Sequence, residues 1–463
     1  MKKIFMHALI ALLVASLIFG AVGCSKEDSI DKEAELAEAP STYSDDVDTV
    51  AEKPESVPSA TGAAEEPSEG SVAREESKSD SFAESESMEE PAAELADSGA
   101  SKDEADYVEE CVEPDERKNT ISPQAGQLTA GEWSDNEDFD FFLDLLNENE
   151  WYDKMDMWGF DDFSRIEVNV YSYNKPVQNA VVKLMDEQED VVFTAKTDNK
   201  GIAYVFPYLF DKETDKEFTV EVSYGRETTT KELSDIDDTQ SIDISLQIPV
   251  KKSNEIDIMF MIDTTGSMSD ELSYIQSELT YVIEEVQKAN ANDLDIRVSA
   301  NFYRDQQDEY VCKTYDFDRN ISRVVSQISK QSANGGGDYP EAVEVALEEG
   351  ISEHNWNDDA RARIMFLILD APPHLNNKVL RVIKEQTIEA AKQGIKIIPV
   401  ASSGVDKDTE FLLRFLDVST NGTYVFLTDD SGIGNSHIEP TIGYYQVEYL
   451  NKLLIRLINE EVE

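Results

Sequence analysis

The sequence predicts an α/β fold: a doubly wound, mainly parallel sheet over residues 251–463. Ahead of it stand a small all-β sandwich over 163–250 and a long disordered acidic linker over 24–118. Three observations carry this prediction. From residue 252 onward, apolar runs alternate with stretches of helical period. Between 163 and 250 the apolar period is two. Residues 24–118 hold 31 Asp or Glu against eight Lys or Arg, among Ser, Ala and Pro.

Residues 1–23 read as an export leader. Met1-Lys2-Lys3 is a positive start, and an apolar run follows that is shorter than the ~20 residues a spanning helix prefers. The run closes on Ala21-Val22-Gly23-Cys24. That ending resembles the lipobox of bacterial lipoprotein signal peptides, although Leu is commoner than Ala where Ala21 stands. The resemblance implies cleavage before Cys24 and a diacylglycerol on its thiol. The chain would then be tethered outside the cytoplasm, at the cell membrane or an outer membrane. Ser25 in place of an Asp implies outer-membrane sorting in a host that has one. An uncleaved membrane anchor is the alternative, and it leaves the rest of the chain on the same side.

The linker 24–118 has too little apolar area to offset its chain entropy, so disorder is expected. A neutral coil of this length would span about 55 Å root-mean-square, and like charges extend it further. Its expected role is a spacer; calcium loading is the alternative. In residues 119–162, Phe139, Phe142, Leu143 and Leu146 fall at helical spacing. A short amphipathic, aromatic-rich docking segment is predicted there.

In the sandwich region Ile166, Val168 and Val170 alternate with polar residues. So do Ala180, Val182 and Leu184, then Phe218, Val220 and Val222, then Ile242, Ile244 and Leu246. Turn residues at 174–176, 197–201 and 224–225 separate them. About seven short antiparallel strands are predicted. The phrases NKPVQNAVVKLMD and TDNKGIAYVFP resemble carboxypeptidase regulatory-like, transthyretin-like sandwiches, which implies a spacer or adhesion module without a site of its own.

In the last region Ile256–Ile262 is nearly continuous in apolar residues, the mark of a buried parallel strand. Leu272, Ile275, Leu279, Val282, Ile283 and Val286 then repeat at helical spacing. Further strands are predicted at 294–302, 310–317, 364–369, 395–400 and 423–427. Helices are predicted at 320–331, 340–349, 376–393, 407–416 and 443–459. In such sheets ligands bind at the carboxyl ends of the strands. Two apolar strands end there in aspartate: IMFMID at Asp263 and IMFLILD at Asp370. After the first, Asp263, Thr265 and Ser267 alternate in one turn and can present oxygens to one hard cation.

This pattern, Asp263-Thr264-Thr265-Gly266-Ser267 with a distant Asp370, resembles the metal-ion-dependent adhesion site of von Willebrand factor type A domains. NFYRDQQDEY, GGGDYPEA, FLILDAPPH and GIKIIPVA resemble the bacterial branch of that family, over residues 252–463. LTAGEW resembles a segment preceding the domain in some bacterial proteins. The family's distant Thr has no counterpart within Gly335–Asp338, and Asp338 is the expected replacement. The alternative for Asp338 is a cap for a helix starting at Pro340. The resemblance implies Mg²⁺, or Mn²⁺ or Ca²⁺, held by Asp263, Thr265, Ser267, Asp338 and Asp370. It also implies an open position for an Asp or Glu carboxylate of an extracytoplasmic protein partner.

A net charge of −57 argues against nucleic-acid binding. With four histidines, His7, His354, His374 and His437, a His-based triad has little to draw on. Cys24, Cys111 and Cys312 form no C-x-x-C pair; Cys111 and Cys312 either join in a disulfide or stay independent thiols. A binding module is therefore expected rather than an enzyme. A scaffold for an envelope complex is the alternative, and a metal-dependent hydrolase using His374 is a remoter one.

Overall fold

The computed structural model describes residues 122–211, 217–234, 236, 239–290 and 293–462. The expected leader 1–23, the lipidation site Cys24, the linker 24–118 and Cys111 lie outside the described residues. Cys312 is half-buried, and burial pushes its thiol up to about 12, with help from the Glu349 charge.

The first strand comes earlier than the sequence suggested. LTAGEW contains β1 (Thr129–Trp133), followed by helices α1 (Phe139–Leu146) and α2 (Asn149–Trp158). Eight strands follow: β2 (Arg165–Ser172), β3 (Lys175–Pro176), β4 (Val181–Met185), β5 (Val191–Lys196), β6 (Ile202–Val205), β7 (Phe218–Tyr224), β8 (Glu227–Leu233) and β9 (Thr239–Leu246). They form two four-stranded sheets, β3-β2-β6 with β9 on β2, and β5-β4-β7-β8. Ile166, Val168 and Val170 of one sheet and Val182, Leu184, Val220 and Val222 of the other are buried in one cluster. One pairing departs from the antiparallel expectation: β9 runs parallel to β2, from Arg165 opposite Thr239 to Ser172 opposite Leu246. A parallel pair needs a long crossover, and the strands of the other sheet supply it. Alternation of period two is the same for either direction, so the sequence pattern does not reveal it.

The α/β part then runs β10 (Glu255–Asp263), α3 (Leu272–Asn290), β11 (Asp295–Tyr303), β12 (Cys312–Lys313), α4 (Ile321–Ile328), α5 (Val343–Ser352), β13 (Ala362–Leu369), α6 (Asn377–Gln393), β14 (Ile395–Ala401), α7 (Lys407–Ser419), β15 (Tyr424–Leu427), β16 (Glu448–Tyr449) and α8 (Leu450–Glu460). The eight-stranded sheet has the order β12-β11-β10-β13-β14-β15-β1-β16. Its centre is parallel, and β12, β1 and β16 pair antiparallel at the flanks. Period two sorts the central strands onto two faces. Ile256, Ile258, Phe260 and Ile262 of β10 join Ile364, Phe366 and Ile368 of β13 beneath α3, α4 and α8. Met259, Met261, Met365 and Leu367 face the opposite core, shared with α5, α6 and α7. Both faces are thus covered, as continuous apolar strands require.

Three boundaries shift. The strand expected at 310–317 is only Cys312–Lys313, and the helix expected from 340 begins at Val343. Of the stretch 443–459, the part before α8 is irregular or in β16.

The sheet reaches back to β1 for identifiable reasons. The buried Glu278 carboxylate on α3 accepts hydrogen bonds from the amides of Gly126, Gln127 and Leu128 at 2.8–3.0 Å. Strand pairing then sets Ala130 opposite Leu427 and Trp133 opposite Tyr424. A Cβ at Gly131 would sit 2.4 Å from the Phe426 ring and 2.8 Å from the Tyr445 ring, so only glycine fits between them. Further on, Arg414 of α7 pairs with Asp135, both fully buried. Phe142, Phe160 and Phe163 crowd Phe415 with centroids 5.0–6.3 Å away. The aromatic density of 139–163 thus docks on α7.

Candidate metal centre

β10 ends on Asp263, and β13 ends one residue before Asp370. The two strands are parallel neighbours, with Ile262 opposite Ile368. From β10 the chain crosses to β11 on one side and returns to β13 on the other. The strand order therefore reverses between them, which opens a crevice at their carboxyl ends.

Past Asp263 the backbone enters a 3₁₀ turn, Gly266–Asp270. Asp263 Oδ1 accepts hydrogen bonds from Thr265 N at 2.8 Å and Thr265 Oγ1 at 2.7 Å. Thr265 Oγ1 lies 3.0 Å from Ser267 Oγ, and the Ser267 hydroxyl bonds to Asp370. Asp263, Thr265, Ser267 and Asp370 therefore meet in one place. The carboxylates and Thr265 are buried, while Ser267 is exposed.

The electrostatics of the group are those of crowded acids. Burial and the Asp370 charge raise Asp263 to about 7, against the pull of its bonds to Thr265. Burial raises Asp370 to about 6; the Ser267 hydrogen bond opposes this, and the Glu271 and Asp270 charges add to it. A further carboxyl belongs here that the sequence reading passed over. Glu341 is 2 % exposed and is raised to about 9 by burial and by the charges of Asp263, Asp305, Asp370 and Asp308. Its amide donates to Pro372 O at 2.9 Å, which ties its loop to the one after Asp370. Gly336, at φ +68°, makes room for it, because a Cβ there would lie 2.7 Å from Glu341 Oε1. The signal was in the sequence, three residues beyond Asp338 in GGGDYPEA, but charge alone does not mark which acid is buried.

Asp338 is placed differently from its neighbours in the expected set. It is exposed, and its carboxylate groups with Asp305 and His374, the three ligand atoms lying within 4.8 Å of one another. It caps no helix, since α5 starts at Val343 with Ala342 in the capping position. His374 Nε2–H donates to Asp305 Oδ1 at 2.8 Å.

A divalent cation fits the first group. Among the described residues, Asp263 Oδ2, Asp370 Oδ1 and Glu341 Oε2 are buried and make no well-formed hydrogen bond, the Tyr303 hydroxyl lying beside the Asp263 carboxylate. Orphaned buried carboxylate oxygens are costly. Here they stand beside two hydroxyls, the all-oxygen donor set that hard cations prefer.

Comparison with known proteins agrees with this part of the chain. Residues 257–421 match the von Willebrand factor A domain family. The alpha-protein kinase vwkA of Dictyostelium discoideum is 30% identical over 126 residues, 27% of this chain and 20% of that protein. The putative ariadne-like RING finger protein R811 of Acanthamoeba polyphaga mimivirus is 27% identical over 119 residues, 26% of this chain and 11% of that protein. The chain thus spans a fifth or less of either relative. Among solved structures, the conserved hypothetical protein BatB from Bacteroides thetaiotaomicron aligns over 44% of this chain and 98% of its own, at 12% identity and a TM-score of 0.32. Among the described residues no helix is long and apolar enough to cross a membrane.

Proposed function

We propose that this chain, whose residues 257–421 form a von Willebrand factor A domain, is a lipid-anchored extracytoplasmic protein that binds a protein partner through a divalent cation. The reading rests on one observation above all: among the described residues, three buried carboxylate oxygens, on Asp263, Asp370 and Glu341, make no hydrogen bond.

Asp263, Thr265, Ser267 and Asp370 would hold Mg²⁺, with Mn²⁺ or Ca²⁺ as substitutes, and the Glu341 carboxyl adds negative charge beside them. The bound ion supplies a positive centre on which an Asp or Glu carboxylate of the partner completes the coordination. Thr265 and Ser267 link the two aspartates through hydroxyls and fix their spacing. Local charge decides at contact distance, so a chain of net charge −57 still accepts an acidic ligand there. Binding is favoured over catalysis because the site offers oxygens for coordination, while the His374 imidazole is engaged by Asp305. Cys24 carries the anchor, and the acidic linker holds the domain away from the bilayer.

The test is affinity capture from host envelope proteins with wild type and Asp263→Ala, each with Mg²⁺ and with EDTA. A partner retained only by wild type in Mg²⁺ supports the reading; equal retention in all four conditions removes the cation from it. Detergent-phase partitioning of the full chain, lost on Cys24→Ser, tests the anchor. A Cys24→Ser chain that still partitions would point to an uncleaved leader helix.

A further inference from the structure

We propose that Asp305, Asp338 and His374 form a second cation site, distinct from the first, that selects a nitrogen-accepting metal of the Zn²⁺ class. The three side chains come from three separate loops: the one after β11, the one before α5 and the one after β13. Their ligand atoms lie within 4.8 Å of one another. Asp305 is buried, His374 half-buried and Asp338 exposed, so the cluster opens to solvent on the Asp338 side.

A second observation points to a missing cation at this spot. A buried glutamate, Glu344, stands near the cluster with one oxygen that makes no hydrogen bond to another described residue. Glu344, 5 % exposed, takes Gln306 Nε2 at 3.0 Å on Oε1 and leaves Oε2 bare. Gln306 adjoins Asp305 in the chain, and Glu344 lies within electrostatic reach of His374. Three carboxyls, of Asp305, Asp338 and Glu344, therefore stand near one imidazole, and Glu344 holds a buried oxygen that no other described residue satisfies.

The donor chemistry separates the two sites. Around Asp263 and Asp370 all donors are oxygens, which suits Mg²⁺. At the second site the imidazole nitrogen brings in a borderline cation, and three protein ligands with an open side is the arrangement that keeps a position for water or a ligand. On metal entry the Nε2 proton that His374 donates to Asp305 moves to Nδ1 through solvent, or is released to solvent from the imidazolium, and Asp305 then acts as a ligand rather than an acceptor. This site does not depend on the partner-binding reading above, and either can fail alone.

The experiment is Zn²⁺ titration of the full chain in millimolar Mg²⁺. It is read by calorimetry and by the imidazole ¹⁵N shifts of His374, one of four histidines. The expected result is a saturable Zn²⁺ uptake that moves His374 Nε2. Affinity falls at least tenfold in His374→Ala and in Asp338→Asn, and stays within twofold in Asp263→Ala. Asp338 is exposed, so its variant keeps the test valid should His374→Ala disturb folding. A His374 Nε2 signal unmoved at saturating Zn²⁺ would overturn the proposal. So would Zn²⁺ affinity in Asp338→Asn within twofold of wild type, or loss of uptake in Asp263→Ala, which would assign the zinc to the first site.

Discussion

Two buried acidic clusters lie in the same α/β unit and are neutralised in opposite ways. In one, Asp135, Glu410 and Asp417 surround Arg414, which donates to Asp135 at 2.6 and 2.7 Å. Lys407 reaches Glu410 at 2.8 Å, and burial, with the Asp135 charge, pushes the Asp417 carboxyl well up. In the other, Asp263, Asp370 and Glu341 crowd the strand ends, and among the described residues no Lys or Arg pairs with any of them. The chain carries its own cation into the first cluster and supplies none, among the described residues, to the second. On the reading proposed above, a cation from solution would complete it.

Four measurements break or sharpen this contrast, from the largest effect down. Arg414→Met should strand Asp135 and cost about 3–5 kcal/mol in chemical unfolding; a cost below about 1 kcal/mol would mean the pair is not structural. Saturating Mg²⁺ should raise the unfolding free energy of wild type by about 2.7 kcal/mol at a hundredfold excess over Kd. Asp263→Ala should show none of this gain, and Arg414 should be irrelevant to it. Without metal, Asp263→Asn should stabilise by about 1 kcal/mol, because it removes repulsion and adds a donor for the orphaned oxygens; destabilisation would show that Asp263 is already compensated in the free protein.

The fourth measurement is of protons. Asp263, Asp370 and Glu341 have folded values raised to about 7, 6 and 9, above those of the unfolded chain. The folded state then holds more protons, so metal-free stability is fullest below pH 4 for these groups and falls as pH rises through 6 to 9. Mg²⁺ uptake at pH 7 should release about one proton per ion, read in two buffers of different ionisation enthalpy. Uptake without proton release would place the ion elsewhere.

The parts legible in the sequence are those where local pattern and burial coincide. The apolar runs of β10 and β13 announce parallel strands, and an aspartate at the end of each marks the crevice. Thr265 and Ser267 follow because the turn is local. The parts hidden are those set by distant partners. The five residues of β1 show only Ala130 and Trp133 as apolar signals, and its partner strand lies nearly 300 residues on, at Tyr424–Leu427. Glu341 looks like any helix-proximal acid until its loop folds against Pro372. Asp305 and His374, 69 residues apart, meet only because β11 and β13 end on the same side of the sheet. Asp338, chosen by position in the family's pattern, groups with those two after a turn in which Gly335 and Gly336 both sit at positive φ.

The Glu278 grip on Gly126, Gln127 and Leu128 has a mechanical meaning. A force applied at Gly126 loads that carboxylate and the β1 ladder before it reaches β10 or β13, because β1 lies four strands from β10 in the sheet. The strand ends that carry Asp263 and Asp370 are thus set apart from strain entering at β1.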